Sequence, residues 1–175
     1  MPAGAPPTSG DDDLVARANR GDAAAFEELY RRHRDWVVSL AYRFTADRDD
    51  AVDVLQDTFS YLFGKFPGFE LKSSLRTLLY PVVKHLSLDR KRRQQVSEPV
   101  DPDLIAVDAP EPGSGTALAR ALDELHEGQR EVVLLRFVDD MSLEQIAAAV
   151  DVPVGTVKSR LHNAIQVLRQ HLRRG

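Results

Sequence analysis

The chain contains no cysteine. Disulfides, thiolate nucleophiles and zinc sites built on sulfur are therefore excluded. No stretch approaches the roughly 18 consecutive apolar residues that cross a bilayer, so no membrane insertion is expected. Met1–Gly10 has neither a basic n-region nor an apolar h-region and is not a signal peptide. It reads as most of a disordered tail over residues 1–12, on a protein expected in the cytoplasm. Strand-like alternation with period two is missing throughout, and there is no internal repeat. A glycine-rich phosphate loop and a His–carboxylate motif at ligand spacing are missing too. No enzyme activity, cofactor or metal is expected. Asp47, Asp49, Asp50 and Asp53 lie close in sequence, but helical phasing scatters them and no histidine is adjacent.

Charge is the next informative shortage. The 175 residues carry a formal net charge of -4, which argues at first against nucleic acid. Yet acids are missing from Val152 to Gly175, where Lys158, Arg160, Arg169, Arg173 and Arg174 stand. Lys84, Arg90, Lys91, Arg92 and Arg93 form a second cationic run broken only by Asp89. Acids collect instead at Asp11–Asp13, Asp47–Asp57 and Asp101–Glu111. This segregation suggests two basic contact surfaces on an acidic body.

Hydrophobic residues make up 43% of the chain, enough for a packed core. Their spacing is helical. Leu14, Val15 and Ala18 share a face. Phe26, Leu29, Tyr30, His33, Trp36, Val37, Leu40 and Phe44 follow at three- and four-residue intervals, then Ala51, Val54, Leu55, Thr58, Phe59, Leu62 and Phe63. Residues 66–74 read as a loop broken by Pro67 and Gly68. A further helix is expected from about Ser74 to Arg93, with Pro81 inside it as a source of a kink. Val96–Thr116 contains four prolines, five acids and no Lys or Arg. It reads as a flexible acidic linker with a span of roughly 25 Å or more. Leu118–His126 and Gln129–Val138 open a second helical block. The expected fold is all-α, with two small helical domains over residues 13–95 and 117–175 and a linker over residues 96–116. Blocks of about 80 and about 60 residues bury only about 60% of their chain surface and gain stability on a partner.

Residues 142–163 carry a strong local signal. Ser142 is a helix N-cap, and Gln145 completes a capping box. Leu143, Ile146, Ala147 and Val150 form the expected buried face of one helix, and Pro153 fits the first turn of the next. Val157, Leu161, Ala164, Ile165, Leu168 and Leu172 then trace one apolar stripe. Thr156, Ser159, Arg160 and Asn163 lie opposite it, flanked by Lys158 and His162. This is a helix-turn-helix whose second helix is equipped for the major groove. Arg and Lys suit guanine, Asn suits adenine, and Ser and Thr are permissive. The plainer alternative is an amphipathic helix with a solvated basic face.

Four segments in order resemble the extracytoplasmic-function type of bacterial RNA polymerase sigma factor. Asp22–Tyr30 (DAAAFEELY) looks like the opening helix of sigma region 2, and Asp50–Phe59 (DAVDVLQDTF) like the polymerase-binding helix. Leu75–Leu79 (LRTLL) through Leu88–Arg93 (LDRKRR) resembles the segment that engages the -10 promoter element. Gln129–Phe137 (QREVVLLRF) with the helix-turn-helix is similar to region 4, the reader of the -35 element. The resemblance runs from about Asp13 to Arg174.

It implies that Asp53, Gln56 and Asp57 dock on the polymerase, where acids and amides pair with Arg; a solvated acidic face is the alternative. It implies contact with the -10 element by Phe69, Lys72, Ser73, Ser74, Arg76, Lys84, His85, Arg90, Arg92 and Arg93. Phe66, Phe69, Ser73 and Ser74 would capture an extruded base, unless both phenylalanines are core residues. The cationic run would hold phosphates. The -35 element would meet Thr156, Lys158, Ser159, Arg160, His162 and Asn163. Expected partners are core RNA polymerase, promoter DNA and the anti-sigma factor that often holds such proteins inactive. The sequence departs from the family at Leu78, where Trp is usual, at His85, where Asn is usual, at Pro81, and at His126, a common proline position. No appended sensor domain is expected after Gly175. The competing expectation is a stand-alone helix-turn-helix regulator that binds palindromic duplex without polymerase.

Overall fold

The structure is a computed structural model and describes residues 10–97 and 117–172. Helices are the only regular elements among them. The chain separates into two compact units that part between residues 97 and 98. Residues 1–9 of the expected tail over residues 1–12 and most of the expected linker, residues 98–116, lie outside the described residues, as do Arg173 and Arg174.

The first unit holds α1 (Asp11–Ala18), α2 (Ala23–Thr45), α3 (Arg48–Phe63) and α4 (Leu75–Ser97). α1 starts at Asp11, two residues ahead of the expected boundary, and Asp11, Asp12 and Asp13 fill its first turn, where the helix dipole favours acids. Asp22 caps α2 by accepting from the N–H groups of Ala24 and Ala25 at 3.0 and 3.4 Å. α2 is the central element and packs on the other three. Its buried face is Ala25, Leu29, His33, Trp36, Val37, Leu40 and Ala41; Leu29, His33, Trp36, Val37 and Leu40 belong to the expected stripe, whereas Phe26, Tyr30 and Phe44 are half-buried. The helix stops at Ala46, a left-handed residue with φ 56°. Asp47 then caps α3 by accepting from the Asp50 N–H at 2.9 Å. Ala51, Val54, Leu55, Thr58, Phe59 and Leu62 face inward from α3. Leu75, Thr77, Leu79, Tyr80, Val83 and Ser87 do so from α4. α4 continues through Pro81 without a break and reaches Ser97, beyond the expected end at Arg93. The proline is exposed, so its ring displaces no core side chain.

His33 is buried, and its Nε2 meets Asp11 Oδ2 at 2.7 Å, tying α1 to α2. Arg32 also reaches Asp11, at 3.4 Å. The hydrogen bond from His33 holds the Asp11 carboxyl below the usual carboxylate range, and with the charges of His33 and Arg32 it outweighs the opposing effect of burial. A carboxyl depressed in the folded state adds stability above its unfolded value and loses that contribution as pH falls through the folded value. Asp11→Ala is therefore expected to cost about 1–2 kcal/mol near neutrality. Denaturant titrations at a series of pH values should show the difference shrinking below about pH 4.

The second unit holds α5 (Ala117–Asp123), α6 (Glu127–Phe137), α7 (Leu143–Ala149) and α8 (Val154–Leu172), with α8 packed on the other three. Arg130 ties α6 back to α5 by donating to the carbonyls of Leu122 and Asp123 at 2.8 and 2.6 Å. His171 Nε2 lies 2.6 Å from Glu124 Oε2 and joins the far end of α8 to α5. The capping box is present in both directions. Gln145 N–H donates to Ser142 Oγ at 3.1 Å, and Ser142 N–H donates to Gln145 Oε1 at 2.8 Å.

Two details differ from expectation. Ala149 joins Ile146 and Ala147 in the buried set, while Leu143 and Val150 are half-buried. Val150 has already left helical geometry, at φ -100° and ψ 6°. Pro153 precedes α8 rather than lying in its first turn, and its carbonyl accepts from Thr156 and Val157. That is the N-cap role, for which the missing N–H has no cost.

Candidate nucleic-acid and polymerase interfaces

Three surfaces carry the residues singled out in the sequence. The first is the outer face of α8. Val157, Leu161 and Ala164 are buried, which turns the other side of the helix outward. Lys158, Ser159, His162 and Asn163 are exposed and Thr156 is half-buried. Ser159 Oγ donates to the Thr156 carbonyl at 3.0 Å, so this hydroxyl is held against its own helix. Arg160 is half-buried. A Cβ placed on Gly128 would lie 3.2 Å from its guanidinium carbon, so the side chain folds over the start of α6. A side chain at 128 would require the guanidinium to shift by a few tenths of an ångström.

The second surface joins α3 to α4. Asp53, Gln56 and Asp57 are all exposed on α3. Arg90 is placed differently from its expected position in the phosphate-holding run. Its guanidinium meets Asp53 Oδ2 at 2.7 Å, Asp57 Oδ2 at 3.3 Å and Asp50 Oδ1 at 3.7 Å. Burial opposes its charge, but the hydrogen bond to Asp57 and the fields of Asp53, Asp57 and Asp50 raise its pKa further. Gln94 adds a hydrogen bond to Asp50 at 2.6 Å. Three carboxylates against one guanidinium leave the face negative. Gln56 has no part in this bridge.

The third surface is the loop from residue 64 to residue 74 with the start of α4. Phe66 and Phe69 are half-buried, intermediate between core and free stacking platforms. Phe26 packs edge-on against both Phe63 and Phe66, with centroids 5.1 and 4.8 Å away, and Phe66 meets Phe69 at 5.2 Å. Lys72 and Ser73 are exposed. The Ser74 hydroxyl accepts from the Thr77 N–H at 3.1 Å and pairs with the Thr77 hydroxyl at 2.8 Å, so it caps α4 instead of pointing at a base. Arg76 lies over the Trp36 ring at 5.5 Å, a cation–π contact that turns it toward α2.

Farther along α4, Lys84 is half-buried and His85 is exposed. Asp89 accepts both His85 Nε2 at 3.2 Å and Arg92 Nη1 at 3.5 Å. Lys91 and Arg93 are exposed. Leu78 is half-buried.

Asn19, at the end of α1, was not legible as a site residue. Its side chain reaches the loop fifty residues away and makes three hydrogen bonds to Gly68 and Phe69. An amide at a helix end reads as a cap, and no local pattern announces so distant a partner.

Comparison with known proteins agrees with this geometry. The sigma-70 region 2 family model matches residues 29–96, and the sigma-70 region 4 model matches residues 116–168. The ECF RNA polymerase sigma factor SigW of Bacillus subtilis is 26% identical, over 91% of this chain and 95% of its own. The ECF RNA polymerase sigma-E factor of Escherichia coli is 31% identical, over 90% of this chain and 92% of its own. Among solved structures, the sigma factor RpoE of Bartonella quintana, bound to the anti-sigma factor NepR, is 26% identical. It superposes with a TM-score of 0.61 over 85% of this chain and 96% of its own. Two sigma-70 regions matched in order, and kinship along nearly the whole length of a named member, place this chain in the extracytoplasmic-function family of RNA polymerase sigma factors.

Proposed function

We propose that this protein is an alternative sigma factor that binds core RNA polymerase and directs promoter-specific initiation in the cytoplasm. Residues 13–95 act as the polymerase- and -10-binding domain, residues 96–116 as an acidic linker, and residues 117–175 as the -35 reader. The α3 face with Asp53, Gln56 and Asp57 docks on the polymerase. Lys158, His162 and Asn163 contact the -35 duplex most directly. Phe69, Lys72 and Ser73, with Lys84, His85, Lys91, Arg92 and Arg93, meet the -10 strand. Strand opening is driven by binding, because capture of extruded bases offsets an unstacking cost of a few kcal/mol. An anti-sigma factor is a further partner, as for the similar Bartonella quintana protein.

The observation that carries this reading is the division of charge. In one unit α3 bears a negative face and the loop that follows it carries Phe66 and Phe69, and α8 carries cations and no acid in the other. The test is co-purification with bacterial core polymerase, followed by run-off transcription from the DNA upstream of its own coding region. Stoichiometric binding with new initiation is expected. Tight binding to palindromic duplex in the absence of core would replace this reading with the stand-alone regulator.

A further inference from the structure

Between Leu62 and Leu75 no side chain is buried. The loop therefore contributes little to the core, yet its backbone is held tightly at one point. Asn19 Oδ1 accepts from the N–H groups of Gly68 at 2.8 Å and Phe69 at 3.0 Å, while its Nδ2 donates to the Phe69 carbonyl at 2.8 Å. The pattern fixes the orientation of the amide, since a flipped group would set its NH2 against two N–H donors. Two successive N–H groups converge on one oxygen because Gly68 sits at φ 94°, a conformation that costs glycine little. Both polar groups of Phe69 are thus satisfied by one side chain. That leaves its ring to be placed by Phe66 alone among the neighbouring rings, at 5.2 Å.

The support behind Asn19 is rigid. Leu14, Val15 and Ala18 of α1 are buried, and Asp11 is bonded to His33 of α2. The hold on the loop is thereby transmitted from α2 through α1 to Phe69.

We infer that Asn19 is a positioning residue for promoter reading. It holds the Phe69 peptide from both sides and so fixes the pose of the ring, on which the base preference of the loop depends. This rests on the reading of residues 66–74 as a single-strand site. α1, whose C-cap is Asn19, then supports the -10 reader from behind the loop.

The test uses the full-length protein in holoenzyme with core polymerase and a randomised single-stranded DNA pool, with the bound fraction sequenced. Wild type is compared with Asn19→Ala, Asn19→Asp and Phe69→Ala. Wild type should enrich particular bases, and Phe69→Ala should flatten at least one position. Asn19→Ala should lower enrichment at that same position by about tenfold, with core binding within about twofold of wild type. Asn19→Asp keeps an oxygen for both N–H groups but sets a second carboxylate oxygen against the Phe69 carbonyl, so its preference should fall between those of wild type and Asn19→Ala.

An Asn19→Ala profile equal to wild type, beside a flattened Phe69→Ala profile, would overturn the inference alone. A uniform loss at every position, with a matching fall in melting temperature, would also overturn it in favour of a purely structural role. If wild type enriches nothing, or Phe69→Ala changes nothing, the loop is not a base site, and the reading beneath the inference fails with it.

Discussion

Gln56→Arg is expected to lower affinity for core polymerase by at least about 30-fold, with little change in folding stability. The argument rests on where Gln56 stands. It is exposed on α3 between Asp53 and Asp57, outside the bridge that Arg90 makes to both acids. A cation introduced there meets a partner surface selected to receive acids and amides. Like charges juxtaposed across an interface cost several kcal/mol, and each 1.4 kcal/mol is tenfold in affinity. Asp53→Arg should have a larger effect but a less clean one. It also breaks the 2.7 Å contact to Arg90 and sets two cations side by side within the unit. Competition with a labelled sigma factor for core, beside thermal melts of the free proteins, separates the two contributions. Unchanged core affinity in Gln56→Arg would remove α3 from the docking face.

The second large effect is expected on α8, where two substitutions should behave differently. Asn163→Ala should remove about 1–3 kcal/mol of discrimination at one base pair of the -35 element, up to about 150-fold, and leave the salt dependence unchanged. Lys158→Ala should weaken binding to all duplexes alike and reduce the slope of log affinity against log salt by about 1. Both residues are exposed, Asn163 opposite the buried Val157 and Leu161 and Lys158 on the flank, so neither change disturbs the core. Holoenzyme binding to a series of single-base promoter variants at several salt concentrations reads both quantities. Equal behaviour of the two variants would mean that α8 holds the backbone without reading bases.

What was legible in the sequence follows from the range of each signal. The cap at Ser142 and much of the apolar stripes of α2, α3 and α8 are local, and the structure has them. The fate of long polar side chains is not local. Arg90 reads as one of a run of cations, yet acids on another helix draw it in. Arg76 is stacked on Trp36, Arg160 lies over Gly128, and Ser74 turns back to cap α4. Each outcome depends on a partner brought near by tertiary packing, which a pattern of three- and four-residue spacing cannot register. Asn19 is the extreme case, because its partners lie fifty residues away.

The bridge from Arg90 to Asp53 and Asp57 has a consequence for the speed and strength of docking. Freezing a side chain at an interface costs roughly 0.5–1.5 kcal/mol of rotamer entropy. Here two carboxylates lose that freedom when the chain folds, not when the polymerase arrives. In the proposed docking the face would meet its partner already ordered, and removal of the Arg90 guanidinium would weaken docking through the mobility it restores to Asp53 and Asp57.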